Sequence, residues 1–228
     1  MPDAVHVEDA SDTTGQFVIE PLERGFGITI GNALRRVMLS SMPGQAITAV
    51  KIDGVQHEFS TIPGVTEDVS DIILNLKGVR MKAEEMHEAH IHLTLEGPGN
   101  WTGADLQEAT SEFEILNPDH HIATLAEDAS VNVDLRVGYG RGYIPSEENK
   151  REDDPIGVIA IDSIFTPIKN VKYSVKPMRI GEKIDYEELT LDVDTDGSIT
   201  PEEALTRAAA IMRDHIQFFI QLDEEPEP

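Results

Sequence analysis

EPLERGFGITIGNALRRVMLSSMPG, from Glu20 to Gly44, is the stretch on which the reading of this chain turns. Gly25 and Gly27 mark a turn, and the residues after them read as a helix that stops before Pro43-Gly44. Within it Ile30, Ala33, Leu34, Val37 and Met38 recur at i, i+3, i+4, i+7 and i+8, which lines one side with apolar groups. At about 100° per residue, Asn32, Arg35, Arg36 and Leu39 gather on the opposite side. Two readings of that second face compete. It is a solvated surface with one stray leucine, or it is a second contact face, so that the helix meets its own core on one side and a partner chain on the other.

The end of the chain holds a second strong helix. Thr200 reads as its N-cap, Pro201 as its first residue and Glu203 as the far half of a Thr-x-x-Glu capping box. Its apolar residues need two stripes, Ala204, Ala208, Ile211, Phe218 and Leu222 in one, and Leu205, Ala209, Met212, Ile216, Phe219 and Ile220 in the other. An ordinary surface helix carries a single stripe about 100° wide. One stripe packs on the protein's own sheet, and a symmetric dimer would cover the other. The rival reading buries the whole helix inside its own domain. Asp223 to Pro228 reads as a solvated acidic stub.

Between the helices the pattern is mainly that of strands. Residues 1–15 are polar and acidic and read as frayed until Phe17-Val18-Ile19 opens a strand. Alternation over Ile47–Ile52, the turn pair Asp53-Gly54 and the run Val55–Phe59 predict a hairpin. Val65, Val69, Ile72, Ile73 and Leu76 predict a short helix stopped at Gly78. From Val79 to Val137 short alternating runs at 91–95, 113–116 and 131–137 predict a β-rich region. Gly138–Tyr143 with the charged run Ser146–Asp154 reads as one long exposed loop. Val158–Ile161, Val171–Val175 and Leu189–Val193 read as further strands.

Composition narrows the function. The 228 residues suffice for one large domain or two small ones. There is no run of 18 apolar residues, no basic-then-apolar leader and no cysteine, which points away from the membrane and towards a cytoplasmic protein without disulfides or thiolate metal sites. Asp and Glu number 43 against 18 Lys and Arg, a net charge of −25. A surface so acidic repels phosphate backbones, so direct DNA binding by these residues is not expected. The acids either meet a basic partner or adapt the protein to high salt. Their spread along the whole chain favours the halophilic explanation.

One motif competes with a scaffold reading. Asp192-Val-Asp-Thr-Asp-Gly-Ser-Ile-Thr-Pro-Glu-Glu203 fits the spacing of a calcium loop, with Asp192, Asp194, Asp196 and Glu203 as side-chain ligands. Leu189–Val193 alternates like a strand where a calcium loop needs a helix, and no second loop pairs with it. His90-x-His92, His87 and His120-His121 form clusters that lack an assignable third ligand and read as surface histidines. No phosphate loop, nucleophile elbow or zinc motif is present, so neither an active site nor a cofactor is expected.

The Glu20–Gly44 run resembles the signature of the N-terminal assembly domain of the bacterial RNA polymerase alpha subunit. The likeness continues through Ile52-Asp-Gly-Val-Gln-His-Glu-Phe-Ser-Thr61, Gly64-Val-Thr-Glu-Asp-Val69 and Leu74-Asn-Leu-Lys77, and resumes at Gly140-Arg-Gly-Tyr143, Pro155-Ile-Gly157 and Thr200-Pro-Glu-Glu-Ala204. It implies an α+β fold in which a discontinuous dimerisation domain, 1–43 plus 166–228, carries an antiparallel sheet and two long helices. A β-rich domain, 44–165, is inserted and contacts the large subunits. It also implies a homodimer that nucleates assembly of the beta and beta-prime subunits and is not itself catalytic within the nucleotidyltransferase. The family's beta-contacting arginine falls on Arg36, with Asn32, Arg35 and Leu39 beside it and His57, Glu58, Phe59, Glu67 and Asp68 extending the contact. Lys77 is the candidate for beta-prime. Phe26, Leu34, Met38, Met212, Ile216 and Phe219 are the expected dimer contacts. The family's C-terminal DNA-binding domain has no counterpart in these residues, so the resemblance suggests a truncated chain.

Overall fold

The computed structural model describes residues 4–181 and 183–220. Leu222 and the acidic stub from Asp223 onward lie outside them. In chain order the first elements are β1 (Ala4–Ala10), β2 (Thr14–Glu23), α1 (Phe26–Ser41), β3 (Pro43–Ile52), α2 (Val69–Lys77), β4 (Met81–Lys82) and β5 (Ala89–Glu96). There follow β6 (Gly99–Thr102), α3 (Gly103–Ala109), β7 (Glu114–Ile115), β8 (His121–Leu125), β9 (Ser130–Arg141), β10 (Tyr143–Ile144) and α4 (Ser146–Asn149). The last are β11 (Val158–Ala160), β12 (Ser163–Ile164), β13 (Ile168–Ile180), β14 (Lys183–Thr195) and α5 (Pro201–Ile220). Every strand pair is antiparallel, so the fold is α+β. The chain divides into two compact units, one from Met1–Met42 with Thr166–Pro228 and one from Pro43–Phe165.

The first unit is a four-stranded sheet, β1-β2-β14-β13, with α1 and α5 packed on one face. Alternation makes that face apolar: Phe17 stands opposite Leu191 and Ile19 opposite Leu189, all buried. α1 settles closely onto it because Gly27 and Gly31 have no side chain. A Cβ on Gly27 would sit 2.8 Å from Val175, and one on Gly31 2.8 Å from both Leu189 and Tyr173. The inward line of α1 is therefore Gly27, Gly31, Leu34 and Met38, while Ile30 and Val37 are half-buried. This turns the helix by about 60° from the orientation its apolar residues alone predict. Its free N-terminus is met by Glu187, whose carboxylate accepts the Gly27 N–H at 3.0 Å.

Residues 4–10 are a strand, not a frayed end. Their hydrogen-bond partner is β2, reached through a turn in which Ser11 Oγ accepts the Thr14 N–H at 3.0 Å. An edge strand takes its order from that pairing, so it needs no buried face, and Val5 and Val7 stay exposed. At the other end Thr200 Oγ1 accepts the Glu203 N–H at 3.2 Å, and Pro201, Ala204 and Ala208 are buried. Beyond Met212 the apolar residues of α5 face solvent.

The second unit is built on the sheet β11-β3-β9-β5, with strand pairs β4–β7, β6–β8 and β10–β12. The predicted hairpin of 47–52 with 55–59 does not form. β3 is an interior strand whose two edges are taken by β9 and β11, which leaves Val55–Phe59 as a loop. The predicted long loop after Gly138 is shorter than expected. Gly138–Arg141 extends β9 alongside β3, and β10 and α4 follow. Helix α3 interrupts the expected β-rich region. Its capping box joins Thr102 and Asp105, and the only large apolar side chain it buries is Leu106. α2 holds the predicted Val69, Ile72, Ile73 and Leu76 but not Val65, which bridges to Leu125 in the loop before it; it is capped by Asp68 and ends at Gly78, where a Cβ would stand 2.5 Å from the His120 ring. Among the described residues no helix is long and apolar enough to cross a membrane.

Candidate interaction surfaces

On the first unit the rotation of α1 redistributes the residues assigned to its outer face. Asn32, Arg35 and Arg36 are exposed, whereas Leu39 is half-buried and packs against the protomer's core. Arg35 lies on the flank and donates from Nε to the Val171 carbonyl at 3.3 Å. Among the described residues the Arg36 guanidinium has no ion-pair or hydrogen-bond partner, so its planar fork faces solvent.

The expected dimer contacts separate in the same way. Leu34 and Met38 are buried against the sheet and cannot meet a second chain without unfolding the first. Met212 is half-buried against the same core. Phe26, Ile216 and Phe219 are exposed, and Ile28, Phe218 and Ile220 join them as large apolar groups in water. Phe218 and Phe219 are adjacent in sequence and both stand clear of the protomer's core, at 75% and 72% exposure.

On the second unit the loop before α2 presents His57, Glu58 and Phe59 to solvent, Phe59 at 80% exposure. Glu67 and Asp68, expected beside them, are engaged internally. Asp68 accepts the Asp71 N–H at 2.8 Å as the N-cap of α2. Glu67 accepts the Thr124 N–H at 2.7 Å and contacts His121 Nε2 at 2.8 Å. Burial by itself raises the Glu67 carboxyl, but the hydrogen bonds from His121 and Thr124 outweigh it and hold the group below the ordinary carboxylate range. Lys77 is likewise occupied, in an ion pair with Asp162, which also accepts from the Tyr143 hydroxyl at 3.3 Å. That pair borders a groove of about 310 Å³ that includes Ser70, Leu74 and Ile159.

The family described as the RNA polymerase Rpb3/RpoA insert domain matches residues 50–166, nearly the whole of the second unit. A DNA-directed RNA polymerase subunit alpha of Salinibacter ruber is 78% identical over 228 residues, which covers 100% of this chain and 70% of that protein. This chain belongs to the RNA polymerase alpha-subunit family. Alpha subunits of Chloroherpeton thalassium and Prosthecochloris aestuarii are 55% and 54% identical over 221 residues, in each case covering 96% of this chain and 67% of the relative.

For this alpha-family chain the polar clusters outside those surfaces have structural duties. The carboxylates of the calcium-loop spacing are tied up separately. Asp192 accepts from Gln16 Nε2 at 2.6 Å, Asp194 from Asn170 Nδ2 at 3.1 Å and Asp196 from the Ser198 N–H at 2.9 Å. Glu203 stands in the first turn of α5, and the entry to the loop is strand β14 rather than a helix. The histidines pair with different partners: His87 with Glu112 at 2.8 Å, His92 with Asp134, and His120 with the Asn75 carbonyl at 2.7 Å.

Several groups that shape these surfaces gave no local signal in the sequence. Arg136, 6% exposed, pairs with Asp154, and donates to the Asn149 carbonyl at 2.7 Å and to Thr48 Oγ1 at 3.4 Å. Asn149 in turn donates to the Ile161 carbonyl and the Ser163 hydroxyl. This network anchors the segment from Asn149 to Asp154 to the sheet. Glu187 at the start of α1 and His121 beside Glu67 belong to the same category, because each lies far along the chain from the group it holds.

Proposed function

We propose that this chain is a dimerising scaffold of RNA polymerase, and that it docks the beta and beta-prime subunits without catalysing RNA synthesis itself. The observation that carries the reading is the pair of unsatisfied surfaces on the helical layer. The C-terminal half of α5 leaves Ile216, Phe218, Phe219 and Ile220 in water, while Arg36 on α1 has no partner among the described residues. A symmetric second copy covers the first surface, because a two-fold contact pairs like with like. Phe26, also exposed, is assigned to that surface; Leu34 and Met38 support it from beneath.

Arg36, with Asn32 and Arg35 beside it, docks the beta subunit. A planar guanidinium pairs bidentately with a carboxylate or spans two backbone carbonyls at a desolvated contact. His57, Glu58 and Phe59 of the insert supply a further beta contact. Beta-prime is assigned to the α2 face, where exposed Leu74 lies close to Lys77. Nothing in an acidic surface of net charge −25 favours DNA, so these residues act through protein contacts.

The test is co-expression with the beta subunit followed by size exclusion. The unaltered chain is expected to elute as a dimer bound to beta, and Arg36→Ala as a dimer without beta. A monomeric Arg36→Ala would place that residue in the dimer contact and overturn the assignment.

A further inference from the structure

The loop that carries Phe59 has almost no core of its own. From Gln56 to Phe59 every residue is exposed, and only Ile62 of the stretch 56–68 is buried. An exposed aromatic on such a loop is of little use for docking unless something else holds the backbone. Here the hold comes from β8 and from the residues that follow it. Thr66 N–H donates to the Thr124 carbonyl at 3.0 Å, and Ala126 N–H to the Gly64 carbonyl at 2.7 Å. Val65 bridges to Leu125. The return side of the loop is closed by Val69 N–H on the Ser60 carbonyl at 3.1 Å and by the Thr61–Asp68 bridge.

Ser70 Oγ, on α2, donates to the Glu58 carbonyl at 2.8 Å, and on the β8 side Glu67 locks the arrangement. Its carboxylate takes the Thr124 N–H on one oxygen, and the Thr124 hydroxyl at 3.2 Å and His121 Nε2 at 2.8 Å on the other. Three donors from one strand thus converge on a single carboxylate whose side chain is 17% exposed. A group so occupied cannot also bind a partner. We propose that Glu67 is a positioning residue: with His121 and Thr124 it clasps the 57–68 segment to β8 and so holds Phe59 ready for the beta subunit. This rests on the docking reading given above and changes the part that Glu67 plays in it, from contact to clasp.

Docking through a held aromatic makes the two residues interdependent. Glu67→Ala frees the segment, which then must be ordered at the moment of binding. Once Phe59 is gone, holding the segment has nothing left to present. The experiment measures beta-subunit binding by the 228-residue chain and its variants, with amide hydrogen exchange on each unbound variant. Glu67→Ala is expected to weaken beta binding about ten-fold and to accelerate exchange at Thr66, Thr124 and Ala126, with slow exchange kept in β3 and β9. Glu67→Gln retains an acceptor for the Thr124 N–H and is expected to recover part of the affinity. Phe59→Ala is expected to weaken binding with exchange unchanged, and adding Glu67→Ala to it to cost less than about two-fold more.

Two results overturn the clasp: normal beta binding by Glu67→Ala, or penalties of Glu67→Ala and Phe59→Ala that multiply in full. The first would mean that the segment needs no holding, the second that Glu67 touches the partner itself. If the unaltered chain fails to bind beta, the docking reading falls and the positioning role with it. That outcome is distinct from normal binding by the variant.

Discussion

Phe219→Asp tests the proposed dimer where the protomer leaves it least covered. Phe219 is 72% exposed, between Phe218 at 75% and Ile220 at 77%. Complete burial of a phenylalanine side chain stabilises by up to about 3 kcal/mol, so covering the exposed part contributes about 2 kcal/mol per protomer. A two-fold interface carries the substitution twice. The loss is then about 4 kcal/mol, or about a thousand-fold in the dimer dissociation constant at roughly 1.4 kcal/mol per tenfold. Desolvation of two new carboxylates adds to it. Sedimentation velocity over a dilution series reads the constant directly. The protomer itself should be unharmed, since the side chain leaves water only in the dimer, and far-ultraviolet circular dichroism should show an unchanged melt below the dissociation concentration. A dissociation constant within about three-fold of the unaltered chain's would refute the placement of this face in a subunit contact.

Three further perturbations follow from the geometry. Arg136→Ala leaves the half-buried Asp154 carboxylate with only the Arg151 N–H and should destabilise the second unit by about 2–4 kcal/mol, whereas Arg136→Met with Asp154→Leu should recover most of that. Urea unfolding followed through Trp101, the single tryptophan and a buried residue of that unit, measures both; equal losses in the single and double variants would count against the pairing. Raising salt from about 0.1 to about 2 M KCl should raise the melting temperature, because the Debye length falls from about 10 Å at 0.1 M to about 3 Å at 1 M and relieves the repulsion among 43 acids; a flat or falling melt contradicts the salt-adapted reading. For Glu67, Asp154 and Asp162, burial alone raises the carboxyl, but hydrogen bonds and ion pairs, from His121, Arg136 and Lys77 respectively, reverse the sign. Their contribution to stability is present above the ordinary carboxylate pKa and lost as pH falls through the lower folded values. Carboxyl carbon shifts that titrate in the ordinary range would overturn it.

The parts of the fold governed by short-range pattern are legible in the chain's own residues. The 3.6-residue rhythm of α1, the capping signature of α5 and the short helix ending at Gly78 are local properties of about ten to twenty residues, and the α+β class and the family likeness rest on such runs. Elements stabilised from a distance are not. β1 leaves even Val5 and Val7 exposed, so no core orders it, and it becomes a strand because β2 offers it hydrogen bonds. Val55–Phe59 has strand-like residues and stays a loop because both edges of β3 are already occupied. α3 has a capping signature in Thr102 and Asp105, but a single large buried apolar residue leaves too little periodicity to be noticed.

The same division runs through the candidate surfaces. Sequence alone brings Arg36, Phe59 and the second stripe of α5 into view, because a charged fork, a motif and an excess of apolar residues are properties of a short run. It also carries the family likeness. Only the tertiary structure decides which way each side chain faces. Two glycines let α1 press its Gly27, Gly31, Leu34 and Met38 line onto the sheet, and the resulting turn of the helix buries Leu34 and Met38, draws Arg35 to Val171 and leaves Arg36 facing solvent. Only the fold could show that Glu67 and Lys77 are already bound, since His121 and Asp162 reach them across long stretches of chain. Periodicity specifies that a helix has two faces; the close packing of backbone against backbone decides which residues end up on each.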